Sequence, residues 1–158
     1  MTHPTAPVLY IPHGGGPLPL LGEPSHAALN AFLRQYMATL PRPAAIVVIS
    51  AHWEARAATL TSAVAPALIY DYYGFPPESY QIQYPAPGEP ALARRIQGLL
   101  QARGIAAHLD EQRGFDHGMF VPLKLMQPDA SIPCVQLSLL ASLDAQAHIA
   151  MGNALRTL

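Results

Sequence analysis

AIVVIS, residues 45–50, is a short unbroken apolar run, rich in β-branched side chains, that follows Pro41 and Pro43. It is too short for a helix and suits a buried strand, the form strands take in largely parallel sheets. Such a strand needs helices above and below it, so the run sets the expectation of an α/β domain. Upstream, HAALNAFLRQYMATL (26–40) carries Ala28, Phe32 and Leu33 at apolar helical positions, with Ser25 placed to cap it and Pro41 to stop it. Before that helix lies the long irregular loop HGGGPLPLLGEP (13–24), and before the loop PVLYI (7–11), which reads as a second buried strand ending at Pro12.

Downstream, TLTSAV (59–64) reads as a strand and is followed by the aromatic, proline-rich stretch YDYYGFPPESYQIQYPAPGEP (70–90). That stretch is too long for a hairpin loop, and loops of its kind are usually functional or packed as lids. Glu89 and Pro90 open a helix over ALARRIQGLLQAR (91–103), which Gly104 closes. A strand at IAAHL (105–109), the loop DEQRGFDHG (110–118), a short apolar helix at FVPLKLM (120–126), a strand at IPCVQLSL (132–139) and a final helix over 144–158, capped by Ser142, complete the reading. With no internal repeat or linker, the alternation predicts one α/β domain over residues 1–158, a central, largely parallel or mixed sheet flanked by helices. The last helix carries no stop signal, and a helix at that point in an α/β fold ordinarily leads into another strand. The chain therefore reads as unfinished at its C-terminus.

Composition narrows the function classes. Of 158 residues, 9 are Lys or Arg and 10 are Asp or Glu, a charged fraction of 12% beside an apolar fraction of 51%. Disorder needs more charge and fewer apolar residues, a coiled coil needs charged flanking positions, and nucleic-acid binding needs a basic excess that a net charge of −1 does not supply. The 17 prolines are spread as punctuation between apolar segments. The lone Cys134 argues against a disulfide scaffold and fits a reducing compartment. With neither a signal peptide nor a membrane-length apolar run, a cytoplasmic location is expected. So much apolar surface with so little charge also predicts that part of it is covered, by a homo-oligomeric partner or by a missing C-terminal fragment.

Seven histidines are present. His3, His26, His108 and His148 read as solvated or structural groups. His13, His52 and His117 differ, because each lies in or beside a loop with small neighbours (HGGG, SAHW, DHG) and the first two follow predicted strands. The carboxyl edge of an open α/β sheet is where ligands bind. Neutral imidazole is a common ligand of iron and zinc, and small neighbours let a metal and its substrate approach the backbone. From position alone, a shared metal site and simple strand-end hydrogen bonding both remain open. HGGG also suits the oxyanion loop of an esterase, but the G-x-S-x-G elbow that reading requires is absent. No Walker A loop, G-x-G-x-x-G fingerprint or H-E-x-x-H pair is present.

HGGGP (13–17), SAHW (50–53), YDYYGFPPESYQIQYPAPG (70–88) and GFDHGMFVPL (114–123), in register along the whole chain, resemble the class III extradiol ring-cleavage dioxygenases. The likeness is to the DOPA 4,5-dioxygenase-like branch, whose members resemble the catalytic subunit of protocatechuate 4,5-dioxygenase. It implies a non-haem enzyme that inserts both atoms of O2 into a catechol-type aromatic diol, opening the ring beside the diol. His13 and His52 match the family's metal ligands and His117 its catechol-facing catalytic histidine. Fe(II) is implied for activity, with Zn(II) possible in the protein as isolated. Asp116 is the expected partner of His117 by adjacency. Tyr73 and Phe75 are candidate substrate contacts, although most aromatics of 70–84 are expected to serve as packing. Family members continue past the position of Leu158 through a GN-x-x-HN histidine and a third metal ligand, neither of which falls within these residues. A metal-binding or interaction module without turnover is therefore the alternative.

Overall fold

The AIVVIS run begins β1 (Ile46–Ala55) in the computed structural model, which describes residues 6–158. The other strands are β2 (Ala58–Thr61), β3 (Ala107–Asp110) and β4 (Cys134–Leu140). Their order across the sheet is β1-β4-β2-β3, with β1 parallel to β4, β2 parallel to β3, and β2 and β4 joined antiparallel at Leu60 and Leu137. The sheet is thus mixed, within the expected architecture. β1 lies at its edge, so Ile46 to Val48 are only half-buried and Ile49 is 57% exposed, whereas β4, inside the sheet, is the strand buried on both faces. The expectation of full burial for AIVVIS fails for that reason.

Helices α1 (Ala27–Met37) and α3 (His117–Met126) cover one face, and α2 (Pro90–Gln101) and α4 (Ala145–Ala154) the other. The alternation along β4 divides the core: Cys134 joins Leu33, Phe115, Met119 and Phe120 under α1 and α3, while Val135 and Leu137 join Leu60, Ile96, Leu100 and Met151 under α2 and α4. α3 is buried along nearly its whole length, which explains its unpatterned apolar sequence.

Several local expectations shift. PVLYI forms no strand and has none beside it among the described residues; Leu9 and Ile11 pack on the core while Val8 and Tyr10 project into solvent. The α1 helix is preceded by a 3-10 turn, Pro24–His26, whose first N–H, that of Ser25, donates to the Glu23 carboxylate, so Glu23 and not Ser25 is the cap. Asp144, whose side chain accepts from the Ala147 N–H, caps α4 in place of Ser142, and that helix stops at Ala154. His3 lies outside the described residues.

Candidate metal centre

The register of β1 on β4 creates the site. Ile49 pairs with Leu137 and Glu54 with Leu139, so five steps along β1 match two along β4. The intervening residues, Ser50 to Trp53, bulge out of the ladder and aim His52 away from the sheet, a common use of bulges beside functional sites. His52 is therefore displaced from within a strand and does not follow its end, as the sequence suggests. His13 reaches the same place from the glycine loop, which follows no strand among the described residues. His117 arrives as the first residue of α3.

These three imidazoles converge. His13 Nε2 and His52 Nε2 are 2.7 Å apart, and the His117 ring centroid lies 4.0 Å from that of His52 and 4.8 Å from that of His13. One potential ligand atom from each falls within 4.8 Å of the others. Two nitrogens bound to one first-row ion sit roughly 3 Å apart at bond lengths of about 2.0–2.1 Å. The His13–His52 spacing, that of a short N–H···N hydrogen bond in the metal-free pair, is close to that value. The donor set thus fits a divalent metal. Burial first, then the nearby His117 and His52 rings, push the His13 pKa below its ordinary value despite opposing pulls from Asp116 and Asp71. That favours the neutral imidazole, the form with a lone pair to offer.

Each ring is fixed differently. Asp71 Oδ1 accepts both the His117 backbone N–H at 2.9 Å and the His117 Nδ1 proton at 2.8 Å, so one carboxylate caps α3 and orients the ring. Burial alone would lift the Asp71 pKa, but its hydrogen bonds to His117 outweigh that and hold it below the usual range. This corrects the expected pairing with Asp116. Asp116 is fully buried and instead accepts from Ser50 Oγ at 2.7 Å, from Arg113 at 3.1 Å and from the Gln136 amide. Ser50 Oγ in turn accepts the His52 backbone N–H at 3.2 Å, so Asp116 braces the bulge that carries His52. Gly118 is required by this close packing: a methyl group there would lie 2.5 Å from Ser50 Oγ and 2.8 Å from His52 Cδ2.

Of the aromatic block, Tyr72 and Tyr84 are buried and Tyr73 is 92% exposed. Tyr72 stands edge-on to His117 with centroids 5.6 Å apart, and its hydroxyl donates to the Ser79 carbonyl at 2.6 Å. Phe75 packs against Tyr72 and over Gly16 of the glycine loop. The structure thus brings Phe75 to the loop that carries His13 and turns Tyr73 outward. Asp71, the carboxylate that orients the His117 ring, is the position beside the cluster that pattern reading misses. Asp71 left a signal, since it is the lone charge in the apolar stretch YDYYGFPP.

The α/β domain thus brings three histidines together beside a strand bulge, a donor set capable of holding a divalent metal. The chain matches the family described as "Catalytic LigB subunit of aromatic ring-opening dioxygenase" over residues 1–158 and belongs to it. It is 47% identical to "Dioxygenase tasH" of Hapsidospora irregularis over 97% of this chain and 50% of that protein. It is 43% identical to the "4,5-DOPA dioxygenase extradiol" of Escherichia coli over 100% of this chain and 56% of that one. A crystal structure of an uncharacterized protein from Escherichia coli K12 superposes with a TM-score of 0.64 at 42% identity, covering 80% of this chain and 46% of that chain. The chain spans about half the length of the curated relatives it matches.

Proposed function

We propose that this chain, as an extradiol dioxygenase-like catalytic domain, serves the ring-opening dioxygenation of a catechol-type aromatic diol. The convergence of His13, His52 and His117 carries the reading. His13 and His52 hold the metal. Fe(II) is the ion for turnover, supplying the electron transfer that lets O2 react with the ring, while Zn(II) suits the same donors without it.

His117 has its Nδ1 proton committed to Asp71, which leaves the Nε2 lone pair on the side of the other two rings. That atom takes the proton of a catechol hydroxyl and then holds the oxygen by a hydrogen bond. Asp71 steadies the imidazolium so formed. Phe75, over the glycine loop, and Tyr72, beside His117, shield this space from water, and Tyr73 meets a substrate only at its rim. A second reading, in which His117 is itself a ligand, is favoured by its carboxylate partner, since metal-bound histidines usually have one.

The test loads the protein anaerobically with Fe(II), adds a catechol and then air, and follows oxygen uptake and a yellow ring-opened product. Uptake is expected, with metal content lost in His13→Ala and His52→Ala. His117→Ala should keep its metal and lose turnover; loss of metal would make His117 a ligand. No uptake with any catechol, together with unchanged metal content in the first two variants, refutes the function. Metal binding without uptake selects the module without turnover.

Among the described residues no helix is long and apolar enough to cross a membrane. We place the protein in the cytoplasm, where a lone cysteine stays reduced. We also propose association, as a homo-oligomer or with a covering fragment, through the apolar groove between β4 and α4, where Leu143 is 59% and Ile149 55% exposed. A monodisperse monomer by light scattering would count against that association.

A further inference from the structure

We propose that His26 is a positioning residue for His13, acting through the glycine loop that separates them; the inference rests on the reading of His13 as a metal ligand. As a first-turn histidine His26 gives no sign of this in the sequence. In the structure its Nε2 lies 3.1 Å from the Gly15 backbone nitrogen, two residues from His13. A backbone N–H can only donate, so that Nε2 carries no proton and the neutral ring holds its proton on Nδ1. Nδ1 lies 2.7 Å from Glu23 Oε2. The Glu23 carboxylate, which also takes the Ser25 hydroxyl and backbone N–H, thus selects the tautomer that can grip Gly15.

Packing supports the same role. Gly14 has φ +79°, and any side chain there would collide with the His26 ring and approach Pro19 Cγ to 2.9 Å. Asn30, one turn further along α1, donates to the Pro19 carbonyl at 2.8 Å. The start of α1 therefore holds the glycine loop at two points.

His13 needs such an anchor more than its neighbours do. His117 has Asp71 on its Nδ1, and the His52 backbone is tied to Ser50, but His13 Nδ1 is buried with no hydrogen-bond partner among the described residues. A metal-bound histidine ordinarily takes its orientation from a partner on the second ring nitrogen. Here the orientation of His13 comes from its backbone, and the backbone is fixed by Gly15 against His26.

The test is Co(II) titration of the metal-free protein in its longest available form, read by visible absorption, with thermal melting of each variant in the absence of metal. His26→Phe keeps the ring volume against Gly14 and removes both nitrogens; His26→Gln returns an acceptor for the Gly15 N–H. Glu23→Ala leaves the ring but frees its tautomer. We expect the Co(II) Kd to weaken about tenfold or more in His26→Phe, as for partners that orient metal ligands. The absorption band should shift, His26→Gln should recover most of the affinity, and Glu23→Ala should fall between, at nearly unchanged melting temperature. Wild-type affinity and spectrum in His26→Phe, or no recovery in His26→Gln, overturns the proposal. If His26→Phe does not fold, Glu23→Ala decides, and wild-type Co(II) binding in it refutes the role. Absence of Co(II) binding by the wild-type protein would refute the metal-ligand reading of His13 and this role with it, whereas binding by the wild type with unaltered variants refutes the His26 role alone.

Discussion

Replacing Gly118 by alanine sets two effects of opposite sign against each other. Gly118 is the second residue of α3, where alanine is preferred over glycine by up to about 1 kcal/mol on helix propensity alone. The added methyl, however, would sit 2.5 Å from Ser50 Oγ, 2.8 Å from His52 Cδ2 and 3.2 Å from Asp116 Oδ1. None of these is a free end: Ser50 Oγ is bound to both Asp116 and the His52 N–H, and Asp116 is fully buried. Overpacking of this kind costs about 1–3 kcal/mol, and loosening the Ser50–Asp116 hydrogen bond about 1.5–3 kcal/mol. The clash wins, for a net destabilisation of about 1.5–5 kcal/mol. Gly98, within α2, is the internal control, because nothing lies within 4 Å of a methyl added there. Gly98→Ala should stabilise by about 0.5–1 kcal/mol. Urea unfolding of the two variants measures both numbers, and Co(II) titration asks whether His52 has moved, with an affinity loss expected for Gly118→Ala only. A Gly118→Ala protein as stable as Gly98→Ala, with unchanged Co(II) binding, refutes the account of how β1 and α3 place His52.

Burial pushes the Cys134 thiol pKa up to about 12, so the folded protein should not react with a thiol reagent at pH 8, while the urea-unfolded protein reacts fully; rapid native labelling would show that β4 is not closed. Phe120→Ala empties a fully buried position between α3 and the Tyr70 and Tyr72 rings and should cost about 3–5 kcal/mol in urea unfolding. Asp71→Asn keeps the shape of the His117 contact but removes its charge. It should lower kcat of the iron-loaded protein by about tenfold or more while metal content holds; equal kcat in variant and wild type would separate Asp71 from the chemistry.

Much of this could be read along the chain, and the parts that could not share a cause. All four helices and the strands β1 to β4 are signalled by local patterns, as are the histidines that form the cluster. What local pattern cannot carry is pairing. PVLYI has a strand's composition, yet no neighbour lies beside it among the described residues to complete a ladder. AIVVIS looks fully buried but lies at the sheet edge, because β4, more than 80 residues later, takes the interior place. The bulge at Ser50 to Trp53 exists only in the register between β1 and β4, so the sequence shows His52 beyond a strand when it projects from inside one. Asp116 is adjacent to His117, but its carboxylate points to Ser50 and Gln136, leaving the His117 ring to Asp71, 46 residues away.

The few charges of this chain bear directly on how the site is held. Asp116 and Asp71 are both close enough to raise the His13 pKa, yet it falls, because burial and the facing His117 and His52 rings act more strongly. Two carboxylates beside three imidazoles would ordinarily gather protons. Here each carboxylate is already occupied, Asp116 by Ser50, Gln136 and Arg113, and Asp71 by the N–H groups of His117. Their negative charge still acts on the cluster while their lone pairs are committed elsewhere. The result disfavours a proton on His13, where charge must be concentrated on one buried ring, and favours a divalent ion, whose charge is shared among several neutral donors and offset by both carboxylates. The same hydrogen bonds that keep the carboxylates out of the ligand set hold the His52 bulge and the His117 ring in place. The polar network therefore sets ligand geometry and ligand protonation together, and substitutions that loosen it should weaken metal binding even where they touch no histidine.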